Sequence, residues 1–245
     1  MARLLAGGFP PAFTRPETRA RQWHRQYVGA LVERDVRDIA RVRDAHEVAR
    51  LLEVVALRSA QLLNVHTLSM DLGLDRTTIE HYLAILDRLY LTRRLPAWHR
   101  NAAKRLVKAP KIYIADSGLA ATLATVHAAD WVSNRDRVGP ILESFVVQQL
   151  LAQASWTDPD LRFWHYRDKD QIEVDVVITR GPQTWGVEVK AGSTASAADG
   201  KGLRRLAERC GADFVGGVVL YTGAHSVALG DARILAVPVA ELWRR

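Results

Sequence analysis

Two apolar runs in the C-terminal third constrain this chain more than any other feature. They are Ile172-Glu173-Val174-Asp175-Val176-Val177-Ile178 and Trp185-Gly186-Val187-Glu188-Val189-Lys190, separated by the turn Arg180-Gly181-Pro182-Gln183. β-Branched residues bounded by Gly and Pro read as a hairpin of two strands. Side chains alternate along a strand, so Glu188 and Lys190 share a face. Asp175 can stand across from them on the neighbouring strand. Val174, Val176, Val187 and Val189 would form the opposite, buried face. Strands this apolar rarely carry Asp, Glu and Lys unless something compensates the charge.

Hard cations such as Mg²⁺ or Mn²⁺ take carboxylate oxygens and keep several waters. Asp175 and Glu188 are therefore candidate metal ligands. With Lys190 they form a candidate catalytic set. Lys190 would orient or deprotonate an attacking water, or neutralise phosphate charge. Upstream, Ile141 to Leu151 reads as a mostly apolar helix, and its Glu143 is a fourth candidate, both catalytic and metal-binding. Glu173 is a spare acid. The bland alternative for Glu188 and Lys190 is a surface ion pair.

A helical acid, a strand Asp and then Glu-x-Lys on the next strand resembles the PD-(D/E)xK nuclease superfamily. The matching positions are Glu143, Asp175, Glu188 and Lys190. The resemblance implies a restriction-endonuclease-like mixed sheet flanked by helices, cutting DNA with Mg²⁺.

The N-terminal half is helical in pattern. Residues 1–20, with Gly7-Gly8-Phe9-Pro10-Pro11 and Pro16, read as a loop. From Arg21 to about Arg58, apolar residues recur at three- and four-residue steps. Arg34, Asp35, Arg37 and Asp38 suggest a charged helix face. Leu68 to Leu72 then runs into Gly73, and Asp75 is placed to cap a second helix from Arg76 through Leu86. The pattern is that of a helix-turn-helix, whose second helix enters the major groove in DNA binders. Arg76, Thr77, Thr78 and His81 are its candidate DNA contacts. Leu89–Leu95 and Lys111–Ala115 read as strands, which together suggest a wing.

From Arg88 to Lys111 there are eight Lys or Arg and no acid. Arg93, Arg94, Arg100, Lys104, Arg105 and Lys108 are the candidate phosphate contacts in this stretch. Solvated basic loops, or a protein-docking winged helix, are the alternatives. Asp116 is expected to cap a helix through Leu123. Residues 126–140 read as a polar linker. The expected organisation is thus a linker or lid remnant over 1–20, a winged helix-turn-helix region over 21–125 and a nuclease-like α/β (α+β) domain over 126–245.

The chain has 245 residues and a net charge of +7, which favours nucleic acid, DNA foremost, as partner. One cysteine, Cys210, excludes an internal disulfide and suits a reducing cytoplasm. It is expected in the core. Scattered His with one Cys give no zinc spacing. His165, near the hairpin, is a minor candidate for substrate contact. No apolar run reaches the roughly 18 residues a membrane span needs.

The ordered set Gly7-Gly8-Phe9-Pro10, Arg34-Asp35-Val36, Thr78-Ile79-Glu80-His81-Tyr82-Leu83, Lys111 to Leu119, Glu143-Ser144-Phe145-Val146, Glu173-Val174-Asp175 and Val187-Glu188-Val189-Lys190 carries a wider likeness. It resembles the C-terminal region of bacterial and archaeal AAA-type ATPases. That resemblance implies a winged helix followed by a nuclease-like fold, beside an ATPase domain or subunit. No Gly-x(4)-Gly-Lys-Ser/Thr occurs, so no nucleotide cofactor and no ATPase activity are expected of this chain alone. Residues 1–13 look like the tail of an absent lid, as from a truncated gene, a split gene or an alternative start. The function classes left open are a Mg²⁺-dependent endodeoxyribonuclease, a non-catalytic DNA-binding or docking module, and a degenerate remnant.

Overall fold

The computed structural model describes residues 1–36, 44–100 and 108–243. Arg37 and Asp38 of the expected charged face, and the expected phosphate contacts Lys104 and Arg105, lie outside the described residues. The chain is mixed α/β. It divides into two compact units, Met1–Arg94 with Lys111–Phe145, and Leu95–Pro110 with Val146–Arg245.

The first unit is mainly helical. Its elements are α1 (Ala2–Ala6), α2 (Pro10–Phe13), α3 (Glu17–Ala30, continued by a π-helical stretch Leu31–Val36), α4 (Ala45–Leu57), α5 (Val65–Leu72), α6 (Arg76–Arg88), α7 (Ser117–Leu123) and α8 (Asp130–Ser133). Strands β1 (Gln61–Leu62), β2 (Thr92–Leu95) and β3 (Lys111–Ile114) form a small sheet in the order β1-β3-β2. Helix α9 (Arg135–Thr157) supplies residues to both units.

Spacing and caps explain these helices. Val48, Leu51, Leu52 and Val55 of α4 are wholly buried, as three- and four-residue steps require. Asn64 accepts from the Thr67 amide at 3.1 Å to start α5. Gly73 ends it at φ 68°, a left-handed conformation that glycine adopts without Cβ strain. Asp75 then caps α6, accepting from the Thr78 amide at 2.9 Å and its hydroxyl at 2.6 Å. Ile79, Leu83 and Leu86 face the core.

Two loop expectations are corrected. Residues 1–20 contain α1, α2 and the start of α3, because proline fits a helix's first turn, where no main-chain donor is needed. Gly7-Gly8 turn the chain against Asp116, which accepts from the Gly8 amide at 2.6 Å and caps α7 through the Leu119 amide at 2.8 Å. An ideal Cβ on Gly7 would fall 2.2 Å from Asp116 Oδ1. Phe9 packs on Trp23 and Tyr27, with ring centroids 5.3 and 4.9 Å away. The expected linker 126–140 contains α8 and the first turns of α9. Pro140 removes one main-chain hydrogen bond from a helix of 23 residues, which the rest sustains.

The second unit is built on a mixed six-stranded sheet. The strands are β4 (Arg162–Arg167), β5 (Glu173–Arg180), β6 (Gln183–Lys190), β7 (Phe214–Tyr221), β8 (Val227–Asp231) and β9 (Ile234–Pro238), in the order β4-β5-β6-β7-β9-β8. β5 and β6 pair antiparallel through a turn at Gly181-Pro182, with Gly181 at φ 57°. β6, β7 and β9 run parallel. Helix α10 (Lys201–Cys210) joins β6 to β7 and buries Leu203, Leu206, Ala207 and Cys210 against the sheet. Gly186 and Gly217 permit that approach, since an ideal Cβ would lie 2.5 and 3.1 Å from Leu203 Cδ2. Segment 96–98 pairs with β4 through Ala97 and His165. The Trp98 amide donates to the His165 carbonyl at 2.6 Å, and the His165 amide to that of Pro96 at 2.9 Å. That pairing explains why Leu95–Pro110 clusters with the second unit.

Candidate functional site

The hairpin β5–β6 and the start of α10 position the acidic cluster. Asp175 is 9% exposed and Glu188 6%. Between the pairs Trp164–Val177 and Tyr166–Val174 the register shifts, leaving His165 opposite both Asp175 and Val176. Such a β-bulge bends its strand and re-aims a side chain. Here Asp175 Oδ2 accepts from the Val189 amide at 2.9 Å, tying one strand to the backbone between Glu188 and Lys190.

Lys190 Nζ stands 3.6 Å from Glu188 Oε2. Burial pulls the Lys190 ammonium pKa down, but the charges of Glu188, Asp175 and Asp199 outweigh it, so the net shift is upward. Lys190 is thereby held as a cation. Of the roles expected for it, charge neutralisation and orientation suit a cation. Glu173 pairs with Arg167 at 2.9 Å instead of joining the cluster.

Sequence reasoning missed the glycines that make room here. An ideal Cβ on Gly202 would fall 2.0 Å from the Glu173 carbonyl oxygen and 2.4 Å from Glu188 Oε1. The N-terminal turn of α10 therefore lies directly on Glu188, where the helix dipole favours negative charge. Gly200-Lys201-Gly202 was the available signal, since glycine at a helix start marks a close approach.

Glu143 is engaged within the first unit. Lys111 Nζ donates to its Oε1 at 2.8 Å and the Tyr113 hydroxyl at 2.7 Å. Lys111 is only 4% exposed. It is a buried ion-pair partner, which corrects its place in the expected solvent-facing basic stretch.

A metal ion was expected, and the donor chemistry of Asp175 and Glu188 fits one. Both present oxygen only, as hard divalent cations prefer, and two carboxylates leave further positions to water or phosphate oxygens. Among the described residues no group of three or more His, Cys, Asp or Glu is arranged to hold a metal. His165 is buried, its Nε2 3.1 Å from the Ala109 carbonyl oxygen, which removes it as a surface contact. Cys210 is in the core as expected.

The candidate DNA contacts fall into two sets. Arg76, Thr77 and His81 are exposed on the first two turns of α6, while Thr78 is committed to Asp75. Arg93 and Arg94 are exposed on β2, with Arg94 2.8 Å from Asp87. Arg100 and Lys108 belong to the second unit, and both are exposed. Among the described residues no helix is long and apolar enough to cross a membrane.

A family model described as a domain of unknown function, DUF8612, matches residues 1–130, more than half of the chain. The chain belongs to that family. A second model, also described as a domain of unknown function, DUF4143, matches residues 138–242 of this DUF8612 chain. The chain is similar to the uncharacterized protein Rv2008c of Mycobacterium tuberculosis and the uncharacterized protein Mb2031c of Mycobacterium bovis. Each is 28% identical over 246 aligned positions, covering 97% of this chain and 52% of the relative. The chain thus spans about half the length of these curated relatives. No solved structure matches it.

Proposed function

We propose that the chain is a DNA-binding protein whose second unit is a divalent-metal-dependent phosphodiesterase of the PD-(D/E)xK kind. The observation that carries this reading is Lys190 3.6 Å from Glu188 and within the charge influence of Asp175, with both carboxylates less than a tenth exposed. Asp175 and Glu188 would hold Mg²⁺ or Mn²⁺. Such an ion, when bound, supplies Lewis acidity and an activated water. Lys190, held protonated, neutralises charge gathering on the phosphate and orients its oxygens. The Val189 amide donates to Asp175, and a main-chain donor keeps that carboxylate in place.

In the first unit, α5 and α6 with the β1-β3-β2 sheet support a winged helix. Arg76, Thr77 and His81 would enter the major groove, and Arg93 and Arg94 would meet phosphates. The AAA-type resemblance makes an ATPase domain or subunit the proposed partner. The relatives' extra length accommodates one.

A second reading, a non-catalytic DNA-binding or docking module, is favoured by one observation: Glu143 is bonded to Lys111 and Tyr113. The test is incubation of purified protein with supercoiled plasmid in Mg²⁺ or Mn²⁺, beside Glu188→Gln and Lys190→Ala. Nicking by the wild type alone supports the nuclease. Folded protein that binds but never nicks moves the assignment to the second reading.

A further inference from the structure

The second unit has a cavity of about 300 Å³ that the metal-site reading does not use. That is the lower end of the small-molecule range. Arg100, Lys108, Arg167, Lys169 and Arg209 line it. Trp98 and Tyr166, 6% and 5% exposed and edge to face at 5.8 Å between centroids, line it too, and His99 and Asp168 complete it.

The polar tips of both rings are buried; the indole N–H has no partner, and the phenol oxygen, which Arg209 reaches, has no acceptor for its own proton. The indole N–H can only donate. Burial pushes the Tyr166 phenol pKa up, with the charge of Asp168 adding to it and Arg209 and Arg205 pulling back, so the hydroxyl stays protonated and able to donate. Unmet buried donors are rare in native interiors and point to a missing acceptor.

Among the described residues Asp168 is the one acid of the lining, and Glu173 neutralises the lining Arg167. Asp168 Oδ1 accepts from the amides of Asp170 and Ile172, and its buried Oδ2, which has no hydrogen-bond partner, is charge-balanced by Arg205 Nε at 3.3 Å. Among the described residues, Arg100, Lys169 and Arg209 take part in no ion pair. Exposed cations around two buried donors suit an oxygen-rich dianion, and guanidinium groups match phosphate geometry.

We propose that this cavity recognises a phosphomonoester, carried either on the 5′ end of a nucleic-acid strand or by a free nucleotide. Arg209, Arg100 and Lys169 supply the charge, and Tyr166 and Trp98 the buried donors. The site is independent of the carboxylate cluster and stands even if the chain cuts nothing.

Fluorescence anisotropy of the full chain in EDTA, with a 5′-phosphorylated and a 5′-hydroxyl oligonucleotide, tests it without any cleavage. Calorimetry with AMP and with inorganic phosphate runs in parallel. Tyr166→Phe keeps the buried ring and removes the donor, and Arg209→Gln changes only an exposed side chain. A strand-end site predicts about tenfold tighter binding of the phosphorylated strand, lost in both variants. AMP binding that both variants abolish, with no strand-end preference, assigns the site to a free nucleotide. Absence of any phosphate-dependent binding, or such binding unchanged in both variants, overturns the proposal.

Discussion

Lys111 and Glu143 form an ion pair at 2.8 Å with 5% and 13% of their side chains exposed. Tyr113 donates to the same carboxylate oxygen. Removing one partner of a buried pair leaves the other desolvated and costs about 3–5 kcal/mol. Glu143→Ala should destabilise the chain by that order in urea denaturation. Lys111→Met with Glu143→Leu should recover most of the loss. Reduced activity in Glu143→Ala alone therefore reports stability as much as chemistry.

Gly202→Ala should cost about 1–3 kcal/mol, since its methyl would meet a main-chain carbonyl and the Glu188 carboxylate. Relief requires α10 to lift from β6, which moves Glu188. Denaturation midpoint and Mn²⁺ affinity should fall together. Loss of one without the other would separate the packing of α10 from the geometry of the cluster.

The Lys190 ammonium has a folded pKa above its ordinary value. The stabilisation it contributes is full below the unfolded pKa, about 10.4, and is lost as pH rises through the higher folded value. The stability gap between wild type and Lys190→Met should hold constant from pH 7 to 9 and shrink only in stronger alkali. Chemical denaturation across that range checks it. A gap closing near neutrality would mean a depressed pKa and a lysine able to act as base.

The hairpin was legible because its β-branched runs and Gly-Pro turn act locally. Residues 76–88 were legible because Asp75 and the three- and four-residue steps fix a capped amphipathic helix. The bulge at Asp175 and Val176 was not, because it arises from the register of β4 against β5, and strand periodicity within β5 says nothing of it. Hairpin pairing places Asp175 across from Glu188, but it does not reveal that the Val189 amide donates to the Asp175 carboxylate. β8 went unread because Gly230, at φ 83°, interrupts a five-residue strand. The Arg88–Lys111 stretch looked uniform in sequence. Folding buries Lys111 and places Arg100 and Lys108 in the other unit from Arg93 and Arg94.

Arg76 opens α6 with its side chain exposed. If α6 meets duplex DNA through it, Arg76→Ala should weaken binding and reduce the slope of log affinity against log salt by about 1. Anisotropy titrations from low to moderate salt give the slope. An unchanged slope would remove α6 from the DNA interface.

Asp175 and Glu188 are proposed to make one divalent-cation site. Mn²⁺ binding followed by electron paramagnetic resonance tests it most directly, on wild type and Glu188→Gln, a change that keeps shape and removes charge. One bound Mn²⁺ per wild-type chain is expected, lost in the variant while the fold stays intact by circular dichroism. Equal Mn²⁺ binding by both proteins, or none by either, would contradict it.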